Sequence, residues 1–82
     1  MDYSTRLAIR AVISGLRYSR RIDAKDCEAI VAAIDEAGTT ALHKVQRNAA
    51  GELDALAAEV ALDSFGANHP IYLAAKQKSE TD

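Results

Sequence analysis

Eighty-two residues are enough for one small domain and too few for two. Alanine supplies 17 of the 40 apolar residues, with one Phe and no Trp, which argues against a large core and favours a homodimer that buries more surface. The net charge of −2 is unevenly divided, because residues 1–22 carry a net +4 and residues 23–82 a net −6.

The first predicted element is a helix over residues 5–20. Ser4 precedes it and is a suitable N-cap, because its hydroxyl can accept a hydrogen bond from a free backbone N–H. Apolar residues then recur three or four positions apart, which predicts one buried helical stripe. That stripe consists of Ile9, Val12, Ile13 and Leu16.

A second helix is predicted over residues 24–37. Asp23 is its expected N-cap, and Asp26 stands in the first turn, where the helix dipole favours an acid. We expect Gly38 to end this helix, since glycine readily takes the left-handed conformation found just after a helix. Cys27 lies on the apolar side and is expected to be a buried thiol without a disulfide partner.

A long third helix is predicted over residues 40–65, with its apolar phase preserved across Gly51 and with Gly66 closing it. A short fourth helix is predicted over 70–77, beginning at Pro70, and the polar tail 78–82 is expected to fray. The expected fold is therefore all-α, one domain over residues 1–82, with three main helices and a short C-terminal one.

A row of arginines on the first helix is the most distinctive functional feature of the sequence. At about 100° per residue these side chains share roughly 100° of arc, and we expect the stripe to face solvent opposite Ile9, Ile13 and Leu16. Guanidinium groups there would suit carboxylates or phosphates of a partner. The predicted contact residues are Arg6, Arg10, Arg17, Arg20 and Arg21.

Internal neutralisation is the alternative to a partner contact. Acidic side chains on the later helices could pair with the arginine row across a helix pair, leaving an ordinary solvated face. The candidates are Asp35, Glu36, Glu59 and Asp63.

The segment 30–48 resembles a helix-turn-helix, with Gly38 in the turn. The pattern is imperfect, because Lys44 stands where that motif usually buries an apolar residue and Ile34 where it usually keeps a small one. Polar side chains at the start of the following helix could nonetheless meet phosphates and base edges. These alternative nucleic-acid contacts are Thr40, His43, Lys44 and Arg47.

No catalytic, metal or cofactor motif is present. His43, His69 and Cys27 lack ligand-like spacing, and there is no nucleophile motif or glycine-rich phosphate loop. We therefore expect no enzyme activity, no metal and no cofactor. The chain has no apolar run of about 20 residues and no signal-peptide pattern, so we expect a cytoplasmic protein that does not enter a membrane.

Two functional hypotheses follow from these patterns. The first is a small non-enzymatic binding protein, an adaptor or inhibitor, that occupies a surface on a larger protein or complex through the arginine-lined helix. The second is a dimeric nucleic-acid-binding regulator that uses the same arginines together with the segment 30–48.

Overall fold

The computed structural model describes the backbone of residues 2–43 and 47–81 and the side chains of residues 2–40 and 51–80. This part of the chain contains four helices and no strand, which confirms the all-α prediction. The helices are α1 (Tyr3–Tyr18), α2 (Ala24–His43), α3 (Arg47–Phe65) and α4 (Pro70–Thr81).

Helix α1 begins and ends two residues earlier than the predicted range 5–20. Its N-cap is Asp2, not Ser4, because the Asp2 carboxylate accepts a hydrogen bond from the Thr5 N–H at 2.8 Å. That hydrogen bond also lowers the pKa of Asp2 below its ordinary value of 3.8. At the other end Arg20 takes the left-handed conformation (φ 62°), so it cannot continue the helix.

Helix α2 begins as predicted and ends later than predicted. Asp23 and Asp26 form a reciprocal box, each side chain accepting the other's backbone N–H at 2.9 Å. The helix then continues through Gly38 to His43, so the predicted end at Gly38 is wrong. Gly38 is buried and keeps a helical conformation, and packing outweighs the cost of about 1 kcal/mol that glycine carries inside a helix.

Helix α3 starts at Arg47, so the predicted range 40–65 is wrong at its beginning. Its end is correct: Gly66, with φ 92°, follows Phe65. The predicted continuity through Gly51 is confirmed.

Helix α4 begins at Pro70 as predicted, with the His69 Nδ1 accepting the Ile71 N–H at 3.1 Å. It is longer than the predicted 70–77, since it runs to Thr81 and includes most of the expected frayed tail. Lys78 holds this last turn, because its ammonium donates to Asp35 at 2.6 Å and to Thr39 at 3.2 Å on α2.

Helix α3 is the centre of the bundle, and α2, α4 and α1 each pack on it. Most of the buried apolar side chains among the described residues belong to α3, and Cys27 is buried as expected. Helix α1 contributes only Ile13 to the buried core, with Ile9 half-buried beside it. The core is thus thin, and α1 is attached to it by few buried apolar side chains. The buried apolar residues are Ile13, Cys27, Val31, Leu56, Ala57, Ala58, Val60 and Ala61.

Candidate binding surface

The charged side chains of α1 all face α3. Arg6 donates from Nε to Glu59 Oε1 at 2.8 Å, and Arg10 donates from Nη1 to Glu59 Oε2 at 2.8 Å. Arg10 also donates two parallel hydrogen bonds of 2.9 Å to the Asp63 carboxylate, and Arg17 donates to the Asp63 backbone oxygen. These contacts form an ion-pair cluster that fastens α1 to α3.

The ion-pair cluster is mostly shielded from solvent, with its salt-bridged side chains 22–24% exposed. Arg10 forms a planar, bidentate pair with Asp63, which is the strongest common geometry for this type of contact. The hydrogen bond to Asp63 raises the pKa of Arg10, so its charge is present at every relevant pH. Internal neutralisation, the alternative left open by the sequence, therefore accounts for Arg6 and Arg10 within the fold, whereas Arg17, among the described residues, donates only to a backbone oxygen.

The predicted orientation of the arginine row is wrong. At about 100° per residue, Arg6, Arg17 and Arg10 lie only about 20°, 40° and 60° around the helix from Ile13, beside the buried stripe instead of opposite it. One signal in the sequence could have shown this. Arg6 and Arg10 are four residues apart, and so are Glu59 and Asp63, so two facing helices can pair them in register.

Arg20 and Arg21 differ from the other three arginines. Both follow the end of α1 and are exposed. Neither forms an ion pair with any of the described residues, so this pair remains a positive corner at the C-terminal end of α1.

The solvent side of α1 carries no charged side chain, because the three arginines within the helix all point toward α3. Large apolar and aromatic residues occupy that side instead. Val12 is 63% exposed and Tyr18 80%, although Val12 and Leu16 were predicted to be buried. We call this uncharged side the outer face of α1; its large residues are Tyr3, Leu7, Val12, Leu16 and Tyr18.

The outer face has a shallow pocket along one edge, where α1 meets α3. Leu7, Ala11 and Tyr18 line its apolar side, and Arg10, Arg17 and Asp63 line its polar side. The Arg17 guanidinium also lies over the Tyr18 ring, 5.3 Å from its centroid. An apolar wall next to guanidinium groups can accept a side chain that has both an apolar body and a negative end.

The sequence missed the outer face because Val12 and Leu16, at helical spacing with Ile9 and Ile13, were assigned to the core. Periodicity shows that apolar residues share a side of a helix, but it does not show which side meets the neighbour. The charge-free arc on α1 was visible in the sequence, and it was the available signal.

The predicted nucleic-acid contacts are not brought onto one recognition helix. Gly38 lies inside α2, so the turn expected in segment 30–48 does not exist there. Thr40 is exposed on α2, His43 is the last residue of α2, and Arg47 is the first residue of α3. Lys44 lies outside the described residues, as do the side chains of His43 and Arg47.

The described residues contain neither a cluster of metal ligands nor a membrane-spanning helix. No group of three or more His, Cys, Asp or Glu side chains in that part of the chain could hold a metal ion. None of the helices described there is both long enough and apolar enough to span a membrane.

Comparison with protein-family models, with curated proteins and with solved structures finds no match for this chain.

Proposed function

We propose that the chain is a small non-enzymatic binding protein that occupies a surface on a larger protein or complex, as an adaptor or inhibitor, with the outer face of α1 as its contact. The cytoplasm is the proposed location. The observation that carries this proposal is the arrangement of α1, whose arginines face α3 beside Ile9 and Ile13 while its other large apolar side chains are exposed and uncharged.

A solvent-facing helix ordinarily carries charged residues on its outer side and an apolar stripe toward the core. Helix α1 does the opposite on most of its circumference, since its arginines pair with α3 and its exposed side chains are uncharged. Exposed apolar surface beside polar groups is typical of protein-interaction sites. On α1 the large residues form two groups at least about 120° apart, with Tyr3, Leu7 and Tyr18 in one and Val12 and Leu16 in the other. Aromatic residues such as Tyr3 and Tyr18 are also enriched at the energetic centres of such interfaces.

The ion-pair cluster supports the same function by holding the outer face in place. Ile9 and Ile13 give α1 only a narrow apolar attachment, and the arginine contacts to Glu59 and Asp63 fix its rotation. A helix held in one orientation loses little conformational freedom on binding, which favours affinity.

Charge placed on the outer face tests the proposal. We expect a Leu7→Glu/Val12→Glu variant to lose a protein that the wild type captures from an extract of the source organism, because two buried charges at an apolar interface are costly. Ala29→Glu/Ala33→Glu on α2 is the matched control, since both alanines are exposed. The control variant should still capture the partner protein. The wild type should also capture it from an extract treated with nuclease.

Equal capture by both double variants would contradict the proposal, and so would capture that nuclease abolishes. Circular dichroism should show that both variants keep the wild-type helix content, because the substituted side chains are solvent-exposed. A homodimer, and the nucleic-acid regulator that shares the arginines, remain predictions that no contact of the described residues favours.

A further inference from the structure

We infer that the outer face of α1 recognises an acidic, apolar segment of its partner protein, anchored in the pocket between α1 and α3 with its carboxylates on Arg17, Arg20 and Arg21. The inference rests on the proposed function, since it names the chemistry of the partner for the same surface. It follows from three features of that end of α1.

The first feature is the hydrogen-bonding capacity of Arg17. A guanidinium has five N–H donors, and Arg17 uses one of them on the Asp63 backbone oxygen. The Asp63 and Glu59 carboxylates are engaged by Arg10 and Arg6, so they do not saturate Arg17. A carboxylate from a partner can therefore pair with Arg17 without displacing the ion-pair cluster.

The second feature is the local charge. Within the ion-pair cluster, three arginines face two carboxylates, which leaves one positive charge uncompensated. Arg20 and Arg21 add two more positive charges just after the same helix end, and Asp23 and Asp26 at the start of α2 offset part of them. This corner is positive in a chain whose net charge is −2, so it attracts acidic groups to one end of the outer face.

The third feature is the apolar path that leads to this corner. Tyr3, Leu7, Ala11 and Tyr18 fall within about 80° of arc, so a segment lying along α1 meets them in succession. An apolar side chain can fill the pocket at Leu7 and Ala11 while a neighbouring carboxylate reaches Arg17. Nucleic acid fits less well, because phosphate groups offer no apolar surface to cover Leu7 and Ala11.

A displayed library of random peptides, each as long as α1, is the probe that tests this inference. Selection on the immobilised wild-type chain should enrich peptides that combine Asp or Glu with Leu, Phe or Trp. The affinity of the most enriched peptide is then measured by fluorescence polarisation. Arg20→Gln/Arg21→Gln should weaken it about fivefold at low salt, as expected for two exposed ion pairs. Lys76→Gln removes a positive charge on α4, away from this corner, and should leave the affinity unchanged.

The outcomes separate this inference from the proposed function. Loss of peptide binding in Leu7→Glu shows that the peptides bind through the outer face. If such peptides lack acidic residues, or bind Arg20→Gln/Arg21→Gln as well as the wild type, the inference of an acidic partner is wrong and the outer face remains the contact. Peptides that bind equally well to Leu7→Glu, or no enrichment at all, overturn both. Analytical ultracentrifugation gives the oligomeric state. If the wild type is a dimer and Leu7→Glu is a monomer, the face binds a second copy of the chain and the inference is wrong.

Discussion

Asp54 is the residue in the core that the fold accommodates least well. It is 2% exposed on α3, and neither carboxylate oxygen has a hydrogen-bond partner among the described residues. A buried carboxyl group without a partner must either carry an uncompensated charge or retain a proton, and both are unfavourable. It therefore opposes folding in a domain whose core is already thin.

We predict that Asp54→Asn raises the free energy of unfolding at neutral pH by about 1 kcal/mol or more, because it removes the ionisable group at nearly the same volume. Urea denaturation followed by circular dichroism measures this. Glu36→Gln, an exposed acid on α2, is the control and should change stability by less than about 0.5 kcal/mol. Destabilisation by Asp54→Asn would show that the carboxylate has a partner in solution.

At the scale of the element, local sequence predicted all four helices but only three of their eight ends: the start of α2, the end of α3 and the start of α4. Asp23, Gly66 and Pro70 act through the backbone next to them, so their roles could be deduced from the sequence. Whether α2 ends at Gly38 depends on tertiary packing, which local helix propensity does not include. In the structure α2 continues through this glycine.

The candidate site was only partly predictable for a similar reason. The sequence identified α1 as the distinctive helix and Arg20 and Arg21 as exposed cations. It also raised pairing of the arginine row with acids of the later helices as an alternative, and of its four candidates the structure shows Glu59 and Asp63 in that role. It could not show that Ile13 alone would be buried and Val12 left in solvent, because that depends on how α1 rotates against α3.

Arg10 and Asp63 should be energetically coupled, since their bidentate pair joins α1 to α3. A double-mutant cycle with Arg10→Ala and Asp63→Ala is expected to give a coupling of about 1 kcal/mol or more. In Arg10→Ala, the amides of α1 should exchange with solvent faster while those of α3 keep their protection.

The exposed pair Lys76–Glu80, 3.9 Å apart, is the control for this cycle. Its coupling should be within about 0.5 kcal/mol of zero, as is usual for exposed pairs. Equal coupling in the two cycles, or unchanged exchange of the α1 amides, would show that the ion-pair cluster does not fix α1.

At the scale of the whole molecule, the bundle consists of a packed core and one helix, α1, that is largely exposed on its surface. Helices α2 and α3 supply nearly all of the buried core and α4 packs partly buried side chains against it, whereas α1 rests on α3 through a narrow apolar contact and the ion-pair cluster. This division leaves the outer face of α1 uncharged and exposed at one side of the bundle. The central claim is that a partner protein covers this face.

Site-specific photo-crosslinking in living cells tests that claim most directly. A photoreactive amino acid replaces either Val12 on the outer face or Ala33 on α2, both of which are exposed. The account predicts a covalent adduct with another protein from position 12 and none from position 33. Adducts from position 33 alone, or equal adducts from both positions, would contradict it.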